Sequence, residues 1–379
     1  MLLSFLAASS APSPLYALYR EAWGFSALTL TWVFASYALA LLGALLVFGR
    51  LSDHLGRRRV IVLALVLEIG SIVLFWQADS VAGLIAARAL QGLATGMASS
   101  ALSSLLVDLS PLRASVLNGI APMLGMAVGA LGTAALVQFA PAPTRLVYEL
   151  LLVLLTVQAL VALRLPDTVA LADGAWRSLR PRLGVPEAAR VALRQLLPLN
   201  TVNWALTGFF LSLGPTLARQ VTGQNAPLVG GALIVALVLP AALVAVPAQR
   251  RAAARTLRVA AVAALLGLSL GLLGIAMGWP LPLYVGAMVC GFGMGCGING
   301  TMRTLMPLAP AQQRAALMAS FLVCSYLAFA LPVILAGLAT GWWGLHATAL
   351  GYGGALLLLT LATWASLVRR GAPGTPTPG

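Results

Sequence analysis

Residues 48–62 read FGRLSDHLGRRRVIV, and this stretch decides how the rest of the chain is taken. Six formal charges crowd into it: Arg50, Asp53, Arg57, Arg58, Arg59 and, when protonated, His54. Yet only 8 % of the chain is charged, and long apolar runs lie on both sides. Gly49 and Gly56 bound the polar core, and glycine permits close backbone approach and the left-handed turn that ends a helix. The segment therefore reads as a tight loop between two apolar helices. Asp53 is an anion free to meet a helix N-terminus or an arginine.

Working outward, the chain has 379 residues, 60 % of them hydrophobic, with a mean hydropathy of +0.97. Soluble chains carry roughly 25 % charged residues, so a soluble fold of this length could not cover its surface. Helices satisfy their own backbone in lipid, and the apolar runs are far too long for barrel strands. The class is an all-α polytopic membrane protein. All the basic residues are arginine, which reads as the codon bias of a GC-rich, bacterial genome. The three cysteines, Cys290, Cys296 and Cys324, fall inside apolar spans and read as packing residues. The opening MLLSFLAASSAP lacks a basic n-region and runs on into further spans, so it reads as a first span and not as a cleaved signal peptide.

A span needs about 20 apolar residues. Twelve candidates follow: 1–19, 27–48, 60–77, 81–106, 115–139, 145–164, 197–218, 227–248, 259–277, 281–304, 315–339 and 344–367. Arginines test the count. The loops after even-numbered spans hold 19, those after odd-numbered spans hold three. This asymmetry puts both termini in the cytoplasm. It also explains the net charge of +14 without nucleic acid, because the charge is spread along one membrane face. The expected organisation is a six-helix bundle at 1–164, a cytoplasmic linker at 165–196, a second six-helix bundle at 197–368 and a disordered tail at 369–379. An amphipathic helix with arginines is expected at the end of the linker, lying on the inner leaflet. Two similar halves joined in this way describe a transporter built from repeats.

GRLSDHLGRRRV at 49–60 resembles the loop 2–3 signature of the major facilitator superfamily, G-x-L-a-D-r-x-G-r-k. Gly49, Leu51, Asp53, Gly56, Arg57 and Arg58 match, and His54 stands where a basic residue is usual. The resemblance implies twelve helices in two pseudo-symmetric bundles. It also implies a gating role for Gly49, Asp53, Gly56, Arg57 and Arg58, with Asp53 latching the start of span 11 near Gln312, Gln313 and Arg314. The corresponding loop of the second half, QRRAAARTLR at 249–258, keeps arginines but has neither glycine nor aspartate. RALQGLATG at 88–96 resembles a second signature of the superfamily, R-x-x-q-G-x-g-a. This implies a part for Arg88, with Gln91, in substrate or proton handling. Read by itself, Arg88 is equally a buried arginine bonded to carbonyls and Gln91. NGIAPMLGMAVGALG at 118–132 resembles the span 5 pattern of proton-coupled drug antiporters at Pro122 and Gly125, whereas Ala121 and Met126 replace its other glycines.

Coupling to protons calls for an ionisable group in the membrane. The embedded candidates are Glu68, about 12 Å into span 3 and within reach of Arg88 in depth, and Glu149, near the outer end of span 6. Pro12 and Pro14 are expected to break span 1 and free its carbonyls. Cavity candidates are Tyr16, Tyr37, Pro122, Asn203, Trp204, Asn299 and Tyr326, each also able to serve ordinary interhelical bonding. No Walker loop, Rossmann fingerprint or zinc spacing occurs. The expectation is therefore not an enzyme but a secondary transporter of a small organic molecule in the bacterial cytoplasmic membrane. It would work by alternating access, as a proton-coupled efflux antiporter. Its partners would be substrate and lipid bilayer, with no nucleic acid, no cofactor, no metal, a proton gradient as energy source and a monomeric state. Uptake by symport or facilitation is the alternative, and a non-transporting receptor or scaffold is a third reading.

Overall fold

The computed structural model describes residues 1–169, 173–181 and 183–370; the tail 371–379 lies outside them. Among the described residues the fold is all-helical. The helices are α1 (Leu2–Ser10), α2 (Tyr16–Trp23), α3 (Ala27–Phe48), α4 (Ser52–Leu55), α5 (Arg57–Gln77), α6 (Val81–Leu109), α7 (Pro111–Phe139) and α8 (Leu146–Ala162). There follow α9 (Ala175–Ser178), α10 (Glu187–Ser212), α11 (Gly214–Thr222), α12 (Pro227–Gln249), α13 (Ala253–Met277), α14 (Pro280–Leu305) and α15 (Arg314–Arg370).

Local chemistry sets the boundaries. Ser26 and Ser80 cap α3 and α6, their hydroxyls accepting from the amides of Thr29 (3.1 Å) and Gly83 (3.3 Å). Gly24 and Gly278 end α2 and α13 in the left-handed conformation. At Pro12 and Pro14 the helix of the first span breaks, and a single 3-10 turn, Ser13–Leu15, joins α1 to α2. The loop motif departs from expectation in one respect. Gly56 alone takes a positive φ (+89°), whereas Gly49 stays right-handed at φ −56° and ψ −25°. Its carbonyl accepts from Ser100 Oγ at 2.5 Å.

Among the described residues, eight helical stretches are long and apolar enough to cross a membrane: α3, α5, α6, most of α7, α12, α13, α14 and 311–369. A ninth arises if α10 and α11, bent by 66° at Leu213, count as one. The count differs from the twelve expected at identifiable places. Prolines cut the N-terminal helix into pieces, α8 is only 17 residues long, and α15 comprises two helices joined across a kink at Gly344 (φ 76°, ψ 166°). The stretch 187–196 is not a separate surface helix either. It continues into α10, with Ala189, Leu193 and Leu196 buried among Leu257, Ala260 and Phe321.

The chain forms two compact units: Met1–Pro181 with Ala226–Gly231, and Arg182–Asn225 with Ala232–Gly379. In the first, α3 packs on α6 where a Cβ on Gly92 would fall on the Tyr37 carbonyl, and α1 packs on α7 at Gly125 and Gly129. In the second, Gly208 of α10 meets the Phe329 carbonyl of α15, and Gly267 of α13 meets Cys290 of α14. Large apolar side chains such as Val153, Leu160, Leu335 and Leu358 stay more than half exposed. That is the outward face of a fold whose solvent is lipid.

Candidate functional site

The loop motif is a closed polar cluster within the first unit. Arg57 opens α5 with its side chain buried, and its Nη1 pairs with Asp53 one turn back and donates to Ser52 Oγ (2.7 Å). Its Nε donates to Asp108 at the end of α6 (3.1 Å). One guanidinium thus ties the loop to the last turn of another helix, using the fork geometry that suits carboxylates. The chain after α8 joins in. Thr168 Oγ1 donates to Asp108 (2.6 Å), and Asp167 accepts the Arg58 backbone N–H (3.0 Å) while its other oxygen faces Arg58 Nε at 3.6 Å. Asp167 thereby satisfies an otherwise free amide at the N-terminus of α5. The bare Cα of Gly56 makes room for it: a Cβ there would stand 2.7 Å from Asp167 Oδ1. His54 Nδ1 lies 3.1 Å from the Asp173 carbonyl. Arg50 and Arg59 are exposed.

A second cluster lies deep in the same unit, where α5 and α6 meet the break between α1 and α2. Arg88 is fully buried. Its Nε bonds the Tyr16 hydroxyl, and its Nη1 donates to the Ser9 carbonyl (2.6 Å) and to Gln91 Oε1 (2.7 Å). The amide of Gln91 donates to the Ala8 carbonyl (3.1 Å) and to Glu68 Oε1 (3.2 Å). The reason is local. Ala8 O would take its helical hydrogen bond from residue 12, which is proline and has no N–H. Gln91 supplies the missing donor, and the broken helix is held by two side chains of α6 one turn apart. Arg88 also lies 5.2 Å from the Tyr16 ring centroid and 5.3 Å from that of Tyr37, with Phe34 and Phe75 completing the cage.

Glu68 is completely buried as well, and among the described residues no ion pair joins it to Arg88; Gln91 stands between. Arg88 Nη2 has no hydrogen-bond partner, and the buried Thr95 hydroxyl, one turn beyond Gln91, faces Glu68 and Tyr37. The fold therefore brings together Tyr16, Tyr37, Glu68, Arg88 and Gln91, which lie far apart in the chain. Pro122 is not among them; it sits half-buried in α7, three residues before the contact of Gly125 with α1.

In the second unit, Trp204 and Tyr326 meet with ring centroids 5.0 Å apart, and Phe329 closes the group at 5.9 Å from Trp204. Trp204 Nε1 is buried with no acceptor. Asn203 lies against α14, where a Cβ on Gly297 would stand 2.5 Å from its Nδ2. Asn299 is separate, its amide 3.5 Å from the Ala245 carbonyl and its Oδ1 unpaired. Asn200, one turn before Trp204, bonds Ser325 at 3.0 Å.

Asp108, Asp167, Thr168, Thr95, Phe75 and Phe329 were missed by sequence reasoning. Asp108 alone carried a usable signal, as an acid at the same end of its helix as the loop motif.

The family model described as Major Facilitator Superfamily matches residues 1–248 of the 379. No curated protein matches the sequence. Among solved structures the chain is similar to a mutant of the nucleoside transporter NupG (TM-score 0.75, 15 % identity, 96 % of this chain and 98 % of that one). It is also similar to a POT family transporter in complex with 5-aminolevulinic acid (TM-score 0.76, 14 % identity, 97 % and 95 % covered). A POT family transporter in complex with a thioalcohol-conjugated peptide matches with the same values. At such identities the likeness is one of fold. Together with the loop motif and the apolar helices, the match over well more than half the chain makes this a multi-pass membrane protein that belongs to the Major Facilitator Superfamily.

Proposed function

We propose that the protein is a secondary active transporter moving a small organic molecule across the bacterial cytoplasmic membrane by alternating access, with proton-coupled efflux as its direction. In this reading the chain crosses the membrane twelve times. The broken α1–α2 is the first span, α8 the sixth, α10–α11 the seventh, and α15 two spans meeting at Gly344. The bundles are 1–164 and 197–368, both termini are cytoplasmic, and the working unit is a monomer.

One observation carries the coupling. Glu68 is an ionisable group buried within the helices, and its Oε1 is held by Gln91. Gln91 also holds Arg88 and the break in the first span. Gain or loss of a proton at Glu68 acts directly on a bond network that braces a discontinuous helix, the kind of element around which transporters build their sites. Trp204, Tyr326 and Phe329 supply aromatic surface for an organic cargo.

Flux in proteoliposomes, with and without an imposed pH gradient, tests the proposal. Gradient-dependent export that Glu68→Gln abolishes is the expected result. Gradient-independent flux would remove the coupling. An undiminished gradient effect in Glu68→Gln would remove Glu68 from it. Ligand binding without any flux would favour the receptor reading.

A further inference from the structure

The second unit carries twelve arginines, Arg182 included, and a single carboxylate, Glu187. Arg250, Arg251, Arg255 and Arg258 gather around the short connection from α12 to α13. Among the described residues none of the four is in an ion pair. Arg303, near the end of α14, adds a fifth positive charge at the same place, its Nη1 donating to the Ala248 and Arg251 carbonyls (3.2 and 2.5 Å) that close α12. No Asp or Glu follows Glu187 in the chain, so neither α12, α13 nor α14 supplies this hairpin with a carboxylate side chain.

Beside the hairpin a groove of about 410 Å³ runs between α13 and α14. Its making follows from the packing. Gly293 approaches Ala263 closely (3.1 Å from a Cβ to that of Ala263), so the helix backbones nearly touch and Ala263 forms a shallow floor. Val259, Val262 and Leu266 on one side and Val289 and Phe292 on the other stand up as walls. The lining is wholly apolar, so Arg258 contributes only its stem at the mouth and sends its charge past it. From Arg258 to Leu266 the groove follows about 12 Å of helix.

We propose that this face of α13 and α14 is a binding site for an anionic phospholipid, with its head group on Arg255 and Arg258 and one acyl chain in the groove. The pairing of an unmatched cationic cluster with an adjoining apolar channel fits an amphiphile of opposite charge. A free phosphate would satisfy only the first half. Juxtamembrane arginines attract anionic lipid, each by a factor of about five. The site owes nothing to the identity of the cargo or the direction of transport.

The test is native mass spectrometry and lipid co-purification of the full chain, extracted from bilayers of phosphatidylglycerol mixed with phosphatidylcholine. Phosphatidylglycerol is expected to be retained selectively as a discrete adduct. Arg255→Gln/Arg258→Gln is expected to weaken retention about 25-fold, two factors of five. Arg190→Gln/Arg194→Gln, which removes equal charge elsewhere on the unit, is expected to leave it unchanged. Leu266→Trp keeps every charge, fills the groove and is expected to lose the adduct; this keeps the test decisive if the arginine variant fails to fold. Equal retention of phosphatidylcholine would overturn the proposal, as would equal loss in the Arg190/Arg194 variant, an adduct that survives Leu266→Trp, or displacement by inorganic phosphate.

Discussion

Replacing Gln91 by leucine removes three hydrogen bonds at once, to Arg88, to the Ala8 carbonyl and to Glu68. Arg88 keeps Ser9 and Tyr16, so its loss is partial. The Ala8 carbonyl and Glu68 Oε1 lose the only donors the structure gives them, and each orphaned buried acceptor costs about 1–3 kcal/mol. The sum is about 2–6 kcal/mol. For a chain of this size that is a fall in apparent melting temperature of about 4–12 °C, at roughly 2 °C per kcal/mol. The partner experiment is Pro12→Ala. Ala11 and Pro12 both have right-handed helical angles (φ −54°, ψ −39° and φ −70°, ψ −17°), so an N–H at position 12 would point at the Ala8 carbonyl. Alone, Pro12→Ala is expected to cost no more than about 1 kcal/mol, the entropy that proline removes from the unfolded chain. In the Gln91→Leu background it is expected to restore about 1–2 kcal/mol, a rise of about 2–4 °C. The assay is thermal unfolding of the four detergent-solubilised proteins, read as a double-mutant cycle. If the two changes add to within about 0.5 kcal/mol, Gln91 does not stand in for the missing N–H, and the account of the broken span fails.

Three further outcomes are expected. Gly92→Ala drives a Cβ onto the Tyr37 carbonyl and to 2.9 Å from Leu41 N, whereas Gly43→Ala meets nothing within 4 Å. The first is expected to lower stability by at least about 2 kcal/mol and the second to be neutral or stabilising by up to about 1 kcal/mol; thermal unfolding distinguishes them. Asp167→Ala removes the acceptor at the start of α5 and is expected to cost about 1 kcal/mol, with faster hydrogen exchange at the Arg58 amide. Asp173→Ala is expected to leave that amide unchanged, because His54 is bonded to the Asp173 backbone carbonyl. Asp108→Asn weakens the link between Arg57 and α6 and is expected to cost about 1 kcal/mol, since Asp108 is 27 % exposed; the loss should shrink in an Arg57→Gln background, and simple additivity would refute the link.

Much of the architecture was legible from the chain alone, for reasons that act locally. Backbone in lipid must be helical, so apolar runs bounded by turn residues translate directly into helices; 27–48 and 227–248 were located to within a residue. Glycine and proline spoke as plainly. Gly56 takes its positive φ, and Pro12 and Pro14 break the first span as their missing N–H groups require. Where local signals were weak the reading slipped. Pro198 did not separate 187–196 from α10, because buried Ala189, Leu193 and Leu196 hold that face in a core that only long-range packing creates. Gly344, by contrast, breaks α15 with a backbone far from helical (φ 76°, ψ 166°), at the residue where the span 344–367 was expected to begin.

The candidate site divides along the same line. Composition, the motif at 49–60 and the scarcity of acids singled out Asp53, Arg57, Glu68, Arg88 and Gln91, because charge in an apolar chain is costly enough to be conspicuous. Which of these touch was a tertiary matter. A sequence in which Glu68 and Arg88 are 20 residues apart suggests a direct pair; the folded unit places Gln91 between them, turning Gln91 toward the Ala8 carbonyl that Pro12 left bare and Arg88 toward the Ser9 carbonyl beside it. The same holds at the loop motif, where Asp108 and Asp167, 55 and 114 residues beyond Asp53, join its cluster. Hydrogen bonds are decided by positions to within a few tenths of an ångström, and no one-dimensional spacing carries that information across separate helices. The sequence determined that this chain lives in a membrane and where its charges are spent; the tertiary structure decided what those charges hold.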